Sequence, residues 1–185
     1  MAMLRVLDGA HAHAPREQSA VAPGPPTRKP ASVSPTGAGS VLDGNELTVL
    51  HQAAKIAERA HRGQTDKTGR PYIEHLRRVA EAVETLDEKT VAYLHDVVEK
   101  GEGWTLALLE AAGFGRPVVA AVDALTRRLD ESEQGFICRA GSDALARPVK
   151  EADLKDNLWQ AHQAGLPPAK YETGLLLLKG MTAAA

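Results

Sequence analysis

A histidine and an aspartate stand side by side in one amphipathic stretch, residues 91–100, and this pair strongly constrains the fold. The apolar residues of the stretch recur at helical spacing: Val91, Leu94, Val97 and Val98. Polar groups in a core-facing helix are costly unless something binds them, and imidazole and carboxylate are together good ligands for a divalent metal. One interpretation is therefore a metal-binding helix. In the alternative, His95 bonds a neighbouring carbonyl and Asp96 faces water.

The composition favours an all-α fold, because alanine and leucine are plentiful and only 4% of residues are aromatic. The 185 residues suit one domain plus a tail. A net charge of -2 gives no general reason to expect nucleic acid or an anionic membrane as a partner. We also expect no membrane span. The single cysteine, Cys138, agrees with a cytoplasmic location, where thiols stay reduced.

The N-terminal region is predicted to be a disordered extension. Residues 1–41 hold six of the eleven prolines among small polar residues, so they bury too little apolar area to offset the entropy of ordering. His11 and His13 belong to this solvated tail and are not assigned to a site. The remaining residues, 42–185, are predicted to form the functional domain.

Periodic apolar residues predict helices through most of this domain. From a capping Asn45, a stripe continues to about residue 62: Leu47, Leu50, Ala54, Ala57 and His61. A polar loop leads to Pro71, which fits a first helical turn, and His75 lies early in that second helix. A third helix is expected to begin at Asp87 and to carry His95 and Asp96.

A proline determines how the later part of the chain is read. Pro148 inside a helix would cost about 3 kcal/mol, so helical structure should restart near Arg147 with the proline in its first turn. That start places Lys150, Asp153 and Asn157 on one face, since they are three and four residues apart. Residues 171–179 are expected to form a last helix.

Four candidate metal ligands lie on three predicted helices: His75, His95, Asp96 and Asp153. Helix bundles build metal sites from inward side chains in this way. The pattern of a histidine, a His-Asp pair and a distant aspartate resembles the HD-domain superfamily.

Five ordered blocks make the resemblance more specific. They are A-H-R-G-Q-x-x-K-x-G-x-P-Y-I-x-H at residues 60–75, Y-L-H-D-V-V-E at 93–99, G-F-G at 113–115, V-D-A-L-T at 122–126 and V-K-x-A-D-L-x-x-N at 149–157. Together they resemble the hydrolase domain of the RelA/SpoT alarmone enzymes, in particular the small stand-alone versions. The similarity covers about residues 46–160.

This resemblance implies an HD-domain helical bundle with a manganese-dependent activity, the removal of 3'-pyrophosphate from guanosine tetra- and pentaphosphate by metal-activated water. The implied metal ligands are His75, His95, Asp96 and Asp153. The implied substrate-binding residues are Lys67 and Asn157, and we add Lys150 because it shares a predicted helix face with Asp153 and Asn157. Glu99 corresponds to the first member of the family's catalytic Glu-Asp pair, and Lys100 occupies the position of the second.

Two departures from the family pattern define the alternatives. Lys100 replaces a carboxylate by an ammonium, and it stands four residues after Asp96, within reach of that side chain on a helix. Asp66 replaces an arginine and is expected to repel a phosphate. The alternatives to guanosine polyphosphate hydrolysis are therefore an HD phosphohydrolase for another nucleotide or phosphorylated metabolite, and a nucleotide-binding member with weakened catalysis.

Overall fold

The computed structural model describes residues 44–182, and regular structure in this range is helical apart from one isolated bridge between Thr65 and Pro71. The nine helical segments are α1 (Gly44–Ala60), α2 (Tyr72–Glu81), α3 (Leu86–Leu94), α4 (Val97–Lys100), α5 (Leu106–Ala111), α6 (Arg116–Leu125), α7 (Glu133–Ser142), α8 (Ala146–Gln163) and α9 (Ala169–Thr182). The all-α prediction is confirmed. The predicted tail, with His11 and His13, lies outside the described residues. No helix in the described range combines the length and apolar character needed to cross a membrane.

Helix α3 lies at the centre of the bundle and contacts α1, α2, α6 and α8. It begins with a capping box, in which the Thr85 hydroxyl accepts from the Glu88 N–H and the Glu88 carboxylate accepts from the Thr85 N–H. Its apolar face is fully buried at Val91 and Leu94. The buried central helix therefore ends where the His-Asp pair begins.

Helix α8 begins at Ala146 with Pro148 in its first turn, as the cost of an interior proline predicts. Helix α8 also packs with α7 and α9 around a second apolar cluster, formed by Ile137, Leu154 and Leu178. Gly174 permits this close approach of α9, because a Cβ there would lie 3.0 Å from both Ile137 and Leu154. The C-terminal helix thus closes the bundle beside the α8 face that carries Asp153.

The predicted stripe on α1 is partly wrong. Leu47 is 45% exposed, whereas Ala53 and Ile56 are buried. Residues 45–48 of the first turn of α1 are exposed, so a leucine there lies outside the core. Downstream, Ala57 and His61 are buried as expected.

The predicted continuous third helix is also wrong, because a turn at His95 and Asp96 interrupts it and separates α3 from α4. Nδ1 of the His95 ring lies 2.7 Å from the Ala92 carbonyl oxygen, one turn back. Consecutive side chains on a regular helix point about 100° apart. At this turn His95 Nε2 and Asp96 Oδ2 lie only 3.3 Å apart, so two adjacent residues serve one site.

Candidate metal centre

The structure brings the four predicted metal ligands into one buried cluster. His75 comes from α2, His95 and Asp96 from the turn between α3 and α4, and Asp153 from α8. One ligand atom each of His75, His95 and Asp96 lies within 4.8 Å of the others. Asp153 Oδ1 lies 3.5 Å from His75 Nε2 and 3.7 Å from His95 Nε2.

Two buried imidazole nitrogens in this cluster make no hydrogen bond of good geometry with any described residue: His75 Nε2 and His95 Nε2. The rings are only 1% and 3% exposed, respectively. Buried polar atoms are rarely left without a partner. Two such nitrogens facing two carboxylates form a donor set suited to a divalent cation, so the residues present fit a metal.

The charges of the cluster change the pKa of each member. Burial lowers the pKa of His95, but the charges of Asp96 and Asp153 outweigh it and raise the pKa to about 10. His75 behaves similarly: burial lowers its pKa, but the nearby carboxylates of Asp153 and Asp156 outweigh burial and raise it. The aspartates show the converse, since the neighbouring cations outweigh burial and hold the pKa values of both ligand carboxyls well below the usual range.

Divalent-cation binding is therefore expected to release protons and to strengthen as the pH rises. With a pKa of about 10, His95 holds a proton near neutral pH, and a metal must displace it. The raised pKa of His75 shifts that ring toward its protonated form as well. Titration calorimetry in two buffers of different ionisation enthalpy should show release of about one to two protons per metal bound. Binding without any proton release would contradict this prediction.

A carboxylate that sequence reasoning missed orients the first histidine. Asp156 Oδ2 lies 2.6 Å from His75 Nδ1, and Asp156 is held in turn by Arg78 at 2.5 Å and Gln160 at 2.6 Å. Such outer partners fix the tautomer of a metal-binding imidazole and leave its other nitrogen free for the metal. The available signal was the spacing, because Asp156 follows Asp153 by three residues on the same helix.

Asp156→Asn is expected to weaken divalent-cation binding by between about tenfold and about a hundredfold, the usual effect of losing such an outer partner. Binding should be measured by titration with Mn²⁺ while circular dichroism confirms the helical fold. Glu110→Gln provides the matched control, because Glu110 is exposed on α5 and undergoes the same change of charge. Equal affinities of the Asp156 and Glu110 variants would contradict the positioning role.

Asp66 does not face the site, so the prediction that it repels a phosphate is wrong. Its carboxylate is buried and accepts hydrogen bonds from the N–H groups of Thr68 at 2.9 Å and Arg70 at 3.1 Å. It also pairs with the Arg78 guanidinium at 3.0 Å. The guanidinium therefore joins Asp156, which orients His75, to the loop that carries Lys67.

A cavity of about 290 Å³ opens beside the cluster and is lined by all three predicted substrate-binding residues, Lys67, Lys150 and Asn157. The Lys67 ammonium donates to Asn157 Oδ1 and lies 5.4 Å from the centre of the Tyr171 ring. Two further cations, Arg127 and Lys170, also line the wall and were not predicted. The cavity thus joins a ligand cluster of imidazoles and carboxylates to a wall rich in basic groups.

The two predicted catalytic residues occupy the same cavity with different partners. Glu99 Oε2 accepts a hydrogen bond from the Arg127 N–H at 3.0 Å. Lys100 Nζ donates to Asp96 Oδ2 at 2.8 Å, in the contact expected from their spacing, and to the Tyr72 hydroxyl at 2.6 Å. The Tyr72 hydroxyl itself donates to Asp96 Oδ2.

His61, buried with its ring centre 4.8 Å from that of Tyr72, is a further neighbour that the site prediction left out.

Two buried imidazoles and two buried carboxylates come together from separate elements of this helical bundle. The bundle therefore contains a candidate site for a divalent metal. Comparison with protein families then gives the family. The family model described as HD domain matches residues 53–152, and the chain belongs to the HD-domain family. The predicted resemblance and the predicted class of enzyme, a metal-dependent hydrolase, are confirmed at this level.

Two curated relatives share about a third of the matched residues. One, named "Probable GTP pyrophosphokinase", from Mycobacterium leprae (strain TN), is 33% identical over 137 residues, which are 67% of this chain and 17% of the relative. The other, named "Putative GTP diphosphokinase RSH1, chloroplastic", from Oryza sativa subsp. japonica, is 36% identical over 120 residues, or 63% of this chain and 13% of the relative. The chain therefore spans a small part of the length of these proteins.

A solved structure supports the same fold. It is described as a metazoan orthologue of SpoT that hydrolyses ppGpp and plays a role in starvation responses. The TM-score is 0.58 with 23% sequence identity, over 71% of this chain and 82% of that chain. At this identity the likeness establishes the architecture of the bundle.

Proposed function

We propose that the chain is a manganese-dependent phosphohydrolase that removes the 3'-pyrophosphate from guanosine tetraphosphate and guanosine pentaphosphate. The main support is structural. Beside a cavity lined by several basic side chains, four candidate ligands converge: His75, His95, Asp96 and Asp153. The relatives are named for GTP pyrophosphokinase, GTP diphosphokinase and ppGpp hydrolysis, which supports this substrate class. Since Cys138 is the chain's single cysteine, we place the reaction in the cytoplasm.

The two imidazoles and two carboxylates would hold Mn²⁺, the cation that the family resemblance implies. When bound, a divalent cation lowers the pKa of water and neutralises charge on a phosphate. Glu99 lines the cavity and is suited to accept a proton from the attacking water. Lys67 and Lys150 would bind phosphate oxygens as point charges, and the Asn157 amide would donate to them.

The proposal is tested by incubating the purified full chain with Mn²⁺ and guanosine tetraphosphate. The expected products are pyrophosphate and GDP, with one water consumed for each bond broken between the 3' oxygen and phosphorus. Nucleoside triphosphates and sugar phosphates are assayed in parallel. A preference for a substrate that lacks a 3'-pyrophosphate would overturn the assignment in favour of another HD phosphohydrolase, and the absence of pyrophosphate at every metal concentration would contradict it directly.

One observation favours a second candidate, a nucleotide-binding member with slow turnover. The Lys100 ammonium contacts Asp96, so a cation already balances one of the ligand carboxylates. Such a protein would bind guanosine tetraphosphate in the cavity and hydrolyse it weakly. Equilibrium binding measured beside the hydrolysis rate separates the two candidates, because tight binding with negligible turnover supports the second.

A further inference from the structure

We propose that Lys100 is a built-in competitor for the metal position, and that a divalent cation binds all four ligands only after the Lys100 ammonium has left Asp96. The inference rests on the metal centre of the proposed function. It assigns to one side chain of this protein the control of metal loading at that centre.

The competition concerns a single oxygen atom. Asp96 Oδ2 lies 2.8 Å from Lys100 Nζ, and the same oxygen lies 3.3 Å from His95 Nε2 and 3.9 Å from His75 Nε2. This oxygen therefore lies near the Nε2 atoms of both histidines. An ammonium and a divalent cation repel each other strongly at such separations, so both do not occupy this oxygen together.

The second lysine of the site has a different arrangement. Lys150 Nζ lies 3.0 Å from Asp153 Oδ2, whereas Asp153 presents its other oxygen, Oδ1, to His75 and His95. Lys150 thus balances the charge of its aspartate without contacting the oxygen that faces the imidazoles. Of these two cations, Lys100 is the one that shares an atom with the metal position.

The position of Lys100 also allows its side chain to move away from Asp96. Its side chain is 41% exposed, it is the last residue of α4, and it lines the cavity that opens beside the cluster. While it stays, the ammonium is held by a second partner, the Tyr72 hydroxyl at 2.6 Å, and lies 5.0 Å from the centre of the Tyr72 ring. These contacts stabilise the Lys100–Asp96 ion pair until a divalent cation binds Asp96 Oδ2.

The test is a titration of the full chain with Mn²⁺, with free metal followed by electron paramagnetic resonance. Lys100→Met, which keeps an unbranched stem and removes the charge, is expected to bind Mn²⁺ at least about tenfold more tightly than the unaltered chain. Lys155→Met is the matched control, since Lys155 forms an i,i+4 pair with Glu151 at 2.7 Å on the surface of α8. It should leave the affinity unchanged. Lys150→Met should have a smaller effect than Lys100→Met.

Equal tightening by Lys100→Met and Lys150→Met would overturn the inference, because it would show a general effect of charge instead of competition for one oxygen. Unchanged or weaker binding by Lys100→Met would overturn it as well, and so would a lack of Mn²⁺ binding in both the unaltered chain and this variant. The proposed function fails differently. Suppose that the chain binds Mn²⁺ and Lys100→Met tightens this binding, but no variant releases pyrophosphate. The proposed hydrolysis is then wrong, and the competition between Lys100 and the metal still holds.

Discussion

His75→Asn should reduce Mn²⁺ affinity by more than about a hundredfold and abolish pyrophosphate release, with the helical fold retained. The substitution removes the Nε2 ligand, whereas the asparagine amide still donates to Asp156 in place of ring Nδ1, which lies 2.6 Å from that carboxylate. Loss of an outer partner alone costs between about tenfold and a hundredfold in metal affinity, so loss of a direct ligand should cost more. Metal titration and hydrolysis measured on the same preparation provide the two readouts.

The control for this variant is His51→Asn, because His51 is exposed on α1 and far from the cluster in sequence. It should match the unaltered chain in metal affinity and rate. A His75→Asn protein that keeps both properties would show that the imidazole is structural, and the four-ligand centre would be wrong.

Lys100→Asp is expected to raise the rate of guanosine tetraphosphate hydrolysis by at least about tenfold. The change removes an ammonium that lies 2.8 Å from Asp96 and adds a carboxylate next to Glu99, so the local charge becomes more negative by two units. Coulomb energies between groups a few ångströms apart near a protein surface reach several kcal/mol, enough to change both metal loading and proton transfer. The rate should be measured at saturating Mn²⁺ and again at limiting Mn²⁺.

The two metal concentrations separate the effects. A gain confined to limiting Mn²⁺ assigns the role of Lys100 to metal loading, and a gain that persists at saturation assigns part of it to catalysis. Lys155→Asp controls for the reversal of charge. If the unaltered chain already turns over efficiently and Lys100→Asp lowers its rate, the candidate with weakened catalysis fails.

Several features of the fold followed from local rules. The restart of α8 with Pro148 in its first turn is a property of the proline ring, which is tolerated only where no helical N–H is required. The contact between Lys100 and Asp96 follows from their i,i+4 spacing. The assignment of the cluster to His75, His95, Asp96 and Asp153 stays a prediction whose geometry is now described.

Other features depend on which helices meet, and the sequence pattern carries little of that information. Arg78 and Asp156 are 78 positions apart and pair only because α2 packs on α8. Asp66 looked like a charge directed at substrate, yet its loop folds back on the carboxylate and Arg78 pairs with it. Charge at a position is visible in a sequence, whereas the direction of a side chain in an irregular loop is set by such distant partners.

The break at His95 and Asp96 has a similar origin. Apolar spacing through residues 91–98 fits one continuous helix, so periodicity alone gives no sign of a turn. The bond from the His95 ring to the Ala92 carbonyl and the convergence on one cluster are what distinguish these two positions. Site geometry here differs from the regular helix that local propensity favours.

A crystal structure of the chain grown with Mn²⁺, with anomalous scattering recorded to locate the metal, tests the metal centre most directly. We expect one strong anomalous peak within bonding distance of His75 Nε2, His95 Nε2 and one oxygen each of Asp96 and Asp153, with the Lys100 ammonium moved away from Asp96. A peak that omits Asp153 or His75, or a Mn²⁺ bound elsewhere while this cluster keeps its Lys100 contact, would contradict it.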